Sequence, residues 1–267
     1  MTLDPLALLA FLVLGAIAGV LAGLLGVGGG LLLVAALAWL LPAQGVVPAD
    51  AAMHAALATS LASIVFTAMS SARAHAKRGS VLWPTVAWMV PGILVGGWLG
   101  SLLAVGLDGR WLRWGVAIYC LVAAAQMLLS RPQVTGDAQI VSRGPLMSAA
   151  GGVIGVVSAL VGIGGGSMTV PLLTWRDVLP VRAVGTSSAC GIFIGIASAL
   201  GYALNAPPGA LPQHAIGYVY LPAAVCVAAA SILLAPLGTR IAHAISGPML
   251  KRVFALFLLA VGTSLLL

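Results

Sequence analysis

Gly15-x3-Gly19-x6-Gly26-x-Gly28-Gly29-Gly30, near the start of the chain, returns 136 residues later as Gly151-x3-Gly155-x6-Gly162-x-Gly164-Gly165-Gly166. Both copies lie inside long apolar runs. Successive glycines are poor helix formers, and a helix broken in lipid leaves backbone N–H and C=O groups unpaired unless the break lines a cavity. Two breaks at matching places in two halves are the pattern of a transporter built from repeats, with its site at the breaks.

Composition makes the chain an integral membrane protein. Of its 267 residues, 61% are hydrophobic and only 6% charged, with a mean hydropathy of +1.16. A soluble domain carries about 25% charge. The apolar runs are too long, and the aromatics too few, for an outer-membrane barrel. The net charge of +7 arises from basic residues scattered through short loops, which suits control of topology rather than nucleic-acid binding. Cys120, Cys190 and Cys226 stand alone in apolar segments, so no cofactor and no metal is expected. No basic residue precedes Arg73, so the first apolar run is expected to be a membrane segment rather than a cleaved signal.

Eight apolar blocks can be read, at 6–41, 50–72, 81–106, 111–129, 145–174, 181–204, 216–238 and 249–267. The first of each set of four is long. If every block crosses once, the twelve basic residues divide five against seven, with no bias. If both long blocks enter and leave on one side, ten fall on one side and only Arg110 and Arg113 on the other. The positive-inside rule selects the second arrangement. Each long block is then a hairpin bent at its glycines, and each half makes three net crossings, which turns the second copy upside down. The expected fold is an all-α integral membrane protein of two inverted repeats, each a glycine-tipped re-entrant or broken hairpin plus three transmembrane helices. Residues 1–130 form membrane repeat 1, 131–144 a cytoplasmic linker and 145–267 membrane repeat 2.

The repeat extends beyond the glycines. Ala58-Thr59-Ser60 matches Gly185-Thr186-Ser187, and Gly100-Ser101 matches Gly238-Thr239. Unwound tips at Gly28, Gly29 and Gly30, and at Gly164, Gly165, Gly166 and Ser167, would present backbone amides at the start of a following helix. Such a place binds an anion without a fixed cation. Helix packing is the other use of glycine, and it suits the four-residue spacing of Gly15, Gly19 and Gly23. The hydroxyls of Thr59, Ser60, Thr186 and Ser187 either donate to the same anion or bond back to helix carbonyls. His54, at a helix start, is a candidate carrier of a coupling proton or simply an interfacial residue, while His75 is expected in solvent. No acidic residue lies mid-span, which argues against a carboxylate relay and against an intramembrane aspartyl protease.

These residues resemble the sulfite exporter TauE/SafE family. The resemblance rests on the duplicated glycine hairpin (Gly19–Gly30 and Gly155–Gly166, with Pro171), on Ala183-Val184-Gly185-Thr186-Ser187, and on Leu250-Lys251-Arg252-Val253-Phe254-Ala255-Leu256. It spans essentially the whole chain. It implies a multi-pass permease of the bacterial inner membrane for sulfite or organosulfonates. One departure is Ala58, where the second copy has Gly185. The expected function is secondary transport of a small sulfur-containing oxyanion by alternating access. A passive anion channel, or a permease for another small anion, is the alternative. The partners expected are a small anionic substrate and the lipid bilayer, with no nucleic acid, and a homo-oligomer is left open.

Overall fold

The computed structural model describes residues 5–25, 29–129, 143–211, 214–242 and 247–266. Ten α-helices and one short β-hairpin occupy them. The first set is α1 (Pro5–Leu25), α2 (Gly30–Ala43), α3 (Ala52–Ala76), α4 (Trp83–Val105) and α5 (Gly109–Leu129). The second is α6 (Pro145–Val161), α7 (Gly166–Thr174), α8 (Pro180–Leu204), α9 (Leu221–Ala242) and α10 (Gly247–Leu266). The hairpin, β1 (Ala215–Ile216) and β2 (Val219–Tyr220), lies between α8 and α9. Proline stands at the first or second position of α1, α4, α6, α8, α9 and α10, where its missing N–H costs no helical bond and its fixed φ suits the first turn.

Both long blocks break at their glycines. Gly162 closes α6 at φ 75° and Gly165 opens α7 at φ 74°, left-handed values that a side chain would strain. In the first block, α1 ends at Leu25 and α2 begins at Gly30. Gly26 and Gly28 lie outside the described residues, as do residues 130–142 of the expected linker. The second arms are short. At 1.5 Å per residue, the 14 residues of α2 and the 9 of α7 rise about 21 and about 14 Å, against a hydrocarbon core of about 30 Å. Five helices (α1, α3, α4, α8 and α9) are long and apolar enough to cross a membrane.

The helices pair across the two sets. The most extensive packing is between α4 and α6 and between α1 and α9, followed by α3 against α8. Exchanging the first five helices for the last five maps these pairings onto themselves: α4–α6 becomes α9–α1, and α3–α8 and α5–α10 return to themselves. Glycine brings the outer pairs together. A Cβ on Gly19 would lie 2.6 Å from the Ser231 Cα on α9. A Cβ on Gly155 would lie 2.7 Å from the Ile93 carbonyl oxygen on α4. These are backbone-to-backbone approaches that only small residues allow. Helices α3 and α8 form the centre, buried round most of their surface. Large apolar side chains such as Leu99, Leu103, Val153, Val225 and Leu233 face outward, toward lipid.

Two expectations need correction. The fold is not purely α. Ala215 pairs with Tyr220 and Ile216 with Val219 in an antiparallel hairpin, turned at Gly217 with φ 56°. Strands of two residues leave no periodicity to read. His75 is not in solvent: it is buried in the last turn of α3 at 7% exposure, and Gly185 of α8 packs against its Cβ at a would-be distance of 3.1 Å.

Candidate functional site

The two glycine breaks meet in the interior. A Cβ on Gly30 would lie 2.5 Å from the Gly162 carbonyl oxygen. Ile64 of α3 touches both breaks, at Gly30 and at Gly164. The Ser60 hydroxyl, fully buried on the same helix, donates across this junction to the Gly162 carbonyl at 3.0 Å and to the Gly30 carbonyl at 3.2 Å. One side chain thus ties the start of α2 to the end of α6. Of the residues singled out in the sequence, the structure brings Gly30, Ser60 and Gly164 to one place, with Gly162 between them.

Thr59 and Thr186 occupy equivalent but separate positions. The Thr59 hydroxyl accepts from the Tyr220 N–H at 3.0 Å, just before α9. The Thr186 hydroxyl accepts from the Leu82 N–H at 3.0 Å, just before α4. Each side chain therefore satisfies a backbone donor at a helix entrance in the other half. Ser187 is fully buried, and its hydroxyl has no partner among the described residues. Ser167, directly after the second glycine triplet, hydrogen-bonds the phenol of Tyr119 on α5.

Beside the junction lies a cavity of about 10 Å³, lined among others by Thr67, Ser71, Gly164, Ser188 and Gly191. Its hydroxyls are already joined to neighbours: Thr67 to Ser231 at 2.6 Å and Ser71 to Ser188 at 3.1 Å. A space near 10 Å³ admits about one water. Thr67 and Ser71 continue a four-residue hydroxyl stripe from Ser63 along α3, a signal the repeated phrases do not include, while Tyr119 carries none. Ser188 continues the Thr186-Ser187 run in the sequence as a third hydroxyl.

His54 is set apart from this junction, in the first turn of α3. Its Nε2–H donates to the Ala104 carbonyl at 3.1 Å and the Leu107 carbonyl at 2.9 Å, at the end of α4. Two carbonyl acceptors require the proton on Nε2. The ring stacks on Tyr218 of the hairpin, centroids 4.8 Å apart. Burial, and then the Asp50 carboxylate, pushes the Tyr218 phenol above its ordinary range, so this corner keeps a neutral phenol. The His54 Nδ1 is buried without a partner among the described residues.

A chain of broken apolar helices meeting at glycine is a transporter-like arrangement, and comparison with known proteins agrees. The model of the sulfite exporter TauE/SafE family matches residues 11–265. The chain belongs to the sulfite exporter TauE/SafE family. This TauE/SafE chain is 37% identical over 260 residues to a probable membrane transporter protein of Haemophilus influenzae, covering 96% of this chain and 97% of the other. It is 30% identical to a probable membrane transporter protein of Xylella fastidiosa over 255 residues, 93% of this chain and 90% of that one. It is 26% identical to one from Methanocaldococcus jannaschii over 257 residues, 96% and 94% of the two chains. No solved structure gives a significant match to it. As a member of this TauE/SafE family the chain is a membrane transporter.

Proposed function

We propose that the protein is a secondary transporter that moves a small sulfur-containing oxyanion, such as sulfite or an organosulfonate, across the bacterial inner membrane by alternating access. The observation that carries this reading is the junction of the two glycine breaks at Ser60, beside a small cavity that Thr67, Ser71 and Ser188 help to line. Amides and hydroxyls bind an oxyanion by hydrogen bonds alone, and the cavity's lining carries no charged side chain among the described residues. The anion is held by the backbone at Gly28, Gly29 and Gly30 and at Gly164, Gly165, Gly166 and Ser167, with Ser187, and with Ser60 once opening of the junction frees its proton from the Gly30 and Gly162 carbonyls. Thr59 and Thr186 hold the entrances of α9 and α4 around it.

The self-mapping of the helix pairs supports two inverted repeats that exchange conformations, so that the junction opens first to one side and then to the other. A cavity of about 10 Å³ is smaller than any oxyanion, so binding accompanies opening of the α3–α8 seam. His54 is assigned the coupling proton, taken at Nδ1. Its change of charge acts directly on the end of α4, whose carbonyls it already holds.

Purified protein reconstituted in liposomes is expected to take up sulfite with saturation and counterflow. The variant His54→Gln is expected to flatten the pH dependence of that flux. Flux no greater than in empty vesicles, for sulfite and for a panel of small sulfonates and oxyanions, would refute the proposal. Flux that rises linearly with concentration and shows no counterflow would favour a passive channel.

A further inference from the structure

The two glycine breaks follow one sequence phrase but are lined differently. At positions related by the 136-residue offset, Ser158, Ser167 and Thr169 of the second copy stand where the first has Ala22, Leu31 and Leu33. The hydroxyls of Ser158 and Thr169 are fully buried, and neither has a hydrogen-bond partner among the described residues. Most other hydroxyls in the bundle are satisfied: Ser63, Thr67 and Ser188 each bond the carbonyl four residues earlier. Ser158 and Thr169 do not take that route, although it is open to them in a helix. Leaving a buried hydroxyl unpaired is unfavourable, so two of them flanking one break call for a shared acceptor.

Both lie close to the second break. A Cβ on Gly165, the residue that opens α7, would lie 3.4 Å from the Ser158 hydroxyl oxygen. Ser158 is therefore directed at the start of α7. Thr169 lies one turn beyond, its amide bonded to the Gly165 carbonyl at 2.8 Å. The N–H groups of Gly164, Gly165, Gly166 and Ser167 donate to no acceptor among the described residues. Four unpaired backbone donors, a helix start and two unsatisfied hydroxyls thus lie at one break or within a turn of it. At the first break the matching side chains Ala22, Leu31 and Leu33 are apolar and buried.

We infer that the second break alone supplies side-chain donors to the anion: Ser158 and Thr169, with the amides of Gly164 to Ser167, grip the oxyanion, while the first break contributes backbone only and its matching side chains form an apolar wall. This rests on the oxyanion reading above and makes the two repeats unequal in chemistry while alike in shape. Ser158 and Thr169 are then specificity-determining residues for the transported anion. Hydroxyls are suited to this, because they follow the acceptor geometry of a trigonal or tetrahedral oxyanion and add no charge to the membrane interior.

The test is equilibrium binding to the full-length protein in detergent. The probes are sodium sulfite, methanesulfonate and sulfate, each against sodium chloride at matched ionic strength, and the readouts are calorimetry and thermal shift. The unaltered protein is expected to bind at least one probe. Ser158→Ala and Thr169→Val are each expected to weaken that binding tenfold or more, the range for a hydrogen bond to a charged group. Thr169→Ser, which keeps the hydroxyl, is expected to bind as the unaltered protein does. Thr169→Val keeps the side-chain shape, so it reports even where Ser158→Ala folds poorly. Binding that Thr169→Val and Ser158→Ala both retain overturns this inference alone. Absence of binding by the unaltered protein to every probe overturns the oxyanion reading and this inference with it.

Discussion

At the scale of single residues, the paired Thr and Ser hydroxyls of α3 and α8 serve different ends. Thr59 and Thr186 serve backbone donors, at Tyr220 and Leu82, and the two bonds have the same length of 3.0 Å at equivalent places. Thr186→Val keeps the shape and leaves the buried Leu82 N–H unpaired. It is expected to cost about 1–3 kcal/mol, and Thr59→Val the same through Tyr220. Thermal unfolding in detergent checks both, and a stability unchanged in either would show that water replaces the hydroxyl. Ser60 belongs to a different kind, since it joins two breaks from different halves. The Thr-Ser pairs were legible as motifs. Their division of labour was not, because a hydroxyl's partner is chosen by the neighbouring helix and leaves no mark on its own sequence. Tyr119, which meets Ser167 from α5, escaped for the same reason.

At the scale of elements, glycine has two separable uses. In the breaks it permits left-handed backbone, at Gly162 and Gly165. In α1 and α6 it permits contact with α9 and α4, as at Gly19 and Gly155. The four-residue spacing announced the second use and the triplets the first, so the helix ends were readable to within a few residues. What spacing does not specify is the partner helix. That α1 packs on α9 and α6 on α4 is a fact of the whole fold. The β-hairpin was missed because its two-residue strands have no pattern, and its place is held from outside by Thr59 and by His54 stacked on Tyr218. Gly155→Leu places a side chain into the Ile93 carbonyl region of α4. Overpacking of this sort costs about 1–3 kcal/mol, and more where backbone must move. The variant is expected to lose yield of monodisperse protein on size-exclusion chromatography. A normal profile would show that the α4–α6 seam has slack.

At the scale of the molecule, each half buries its glycine faces against the other half. Neither half is therefore a finished unit, even though each carries the full set of five helices. Chains cut within residues 130–142 and produced together are expected to co-purify as one complex. Either piece produced alone is expected to be degraded or aggregated. A stable, monodisperse single half would contradict the interleaved packing. The same interleaving sets a timetable during synthesis. Only about 40 residues separate the end of α4 from the start of α6, but about 200 separate the end of α1 from the start of α9. At about 5–20 residues per second, the ribosome delivers the partner of α4 within roughly two to eight seconds, and the partner of α1 only after roughly ten to forty. For that interval the first glycine face waits in lipid without α9 against it, and its seam closes well after the α4–α6 seam.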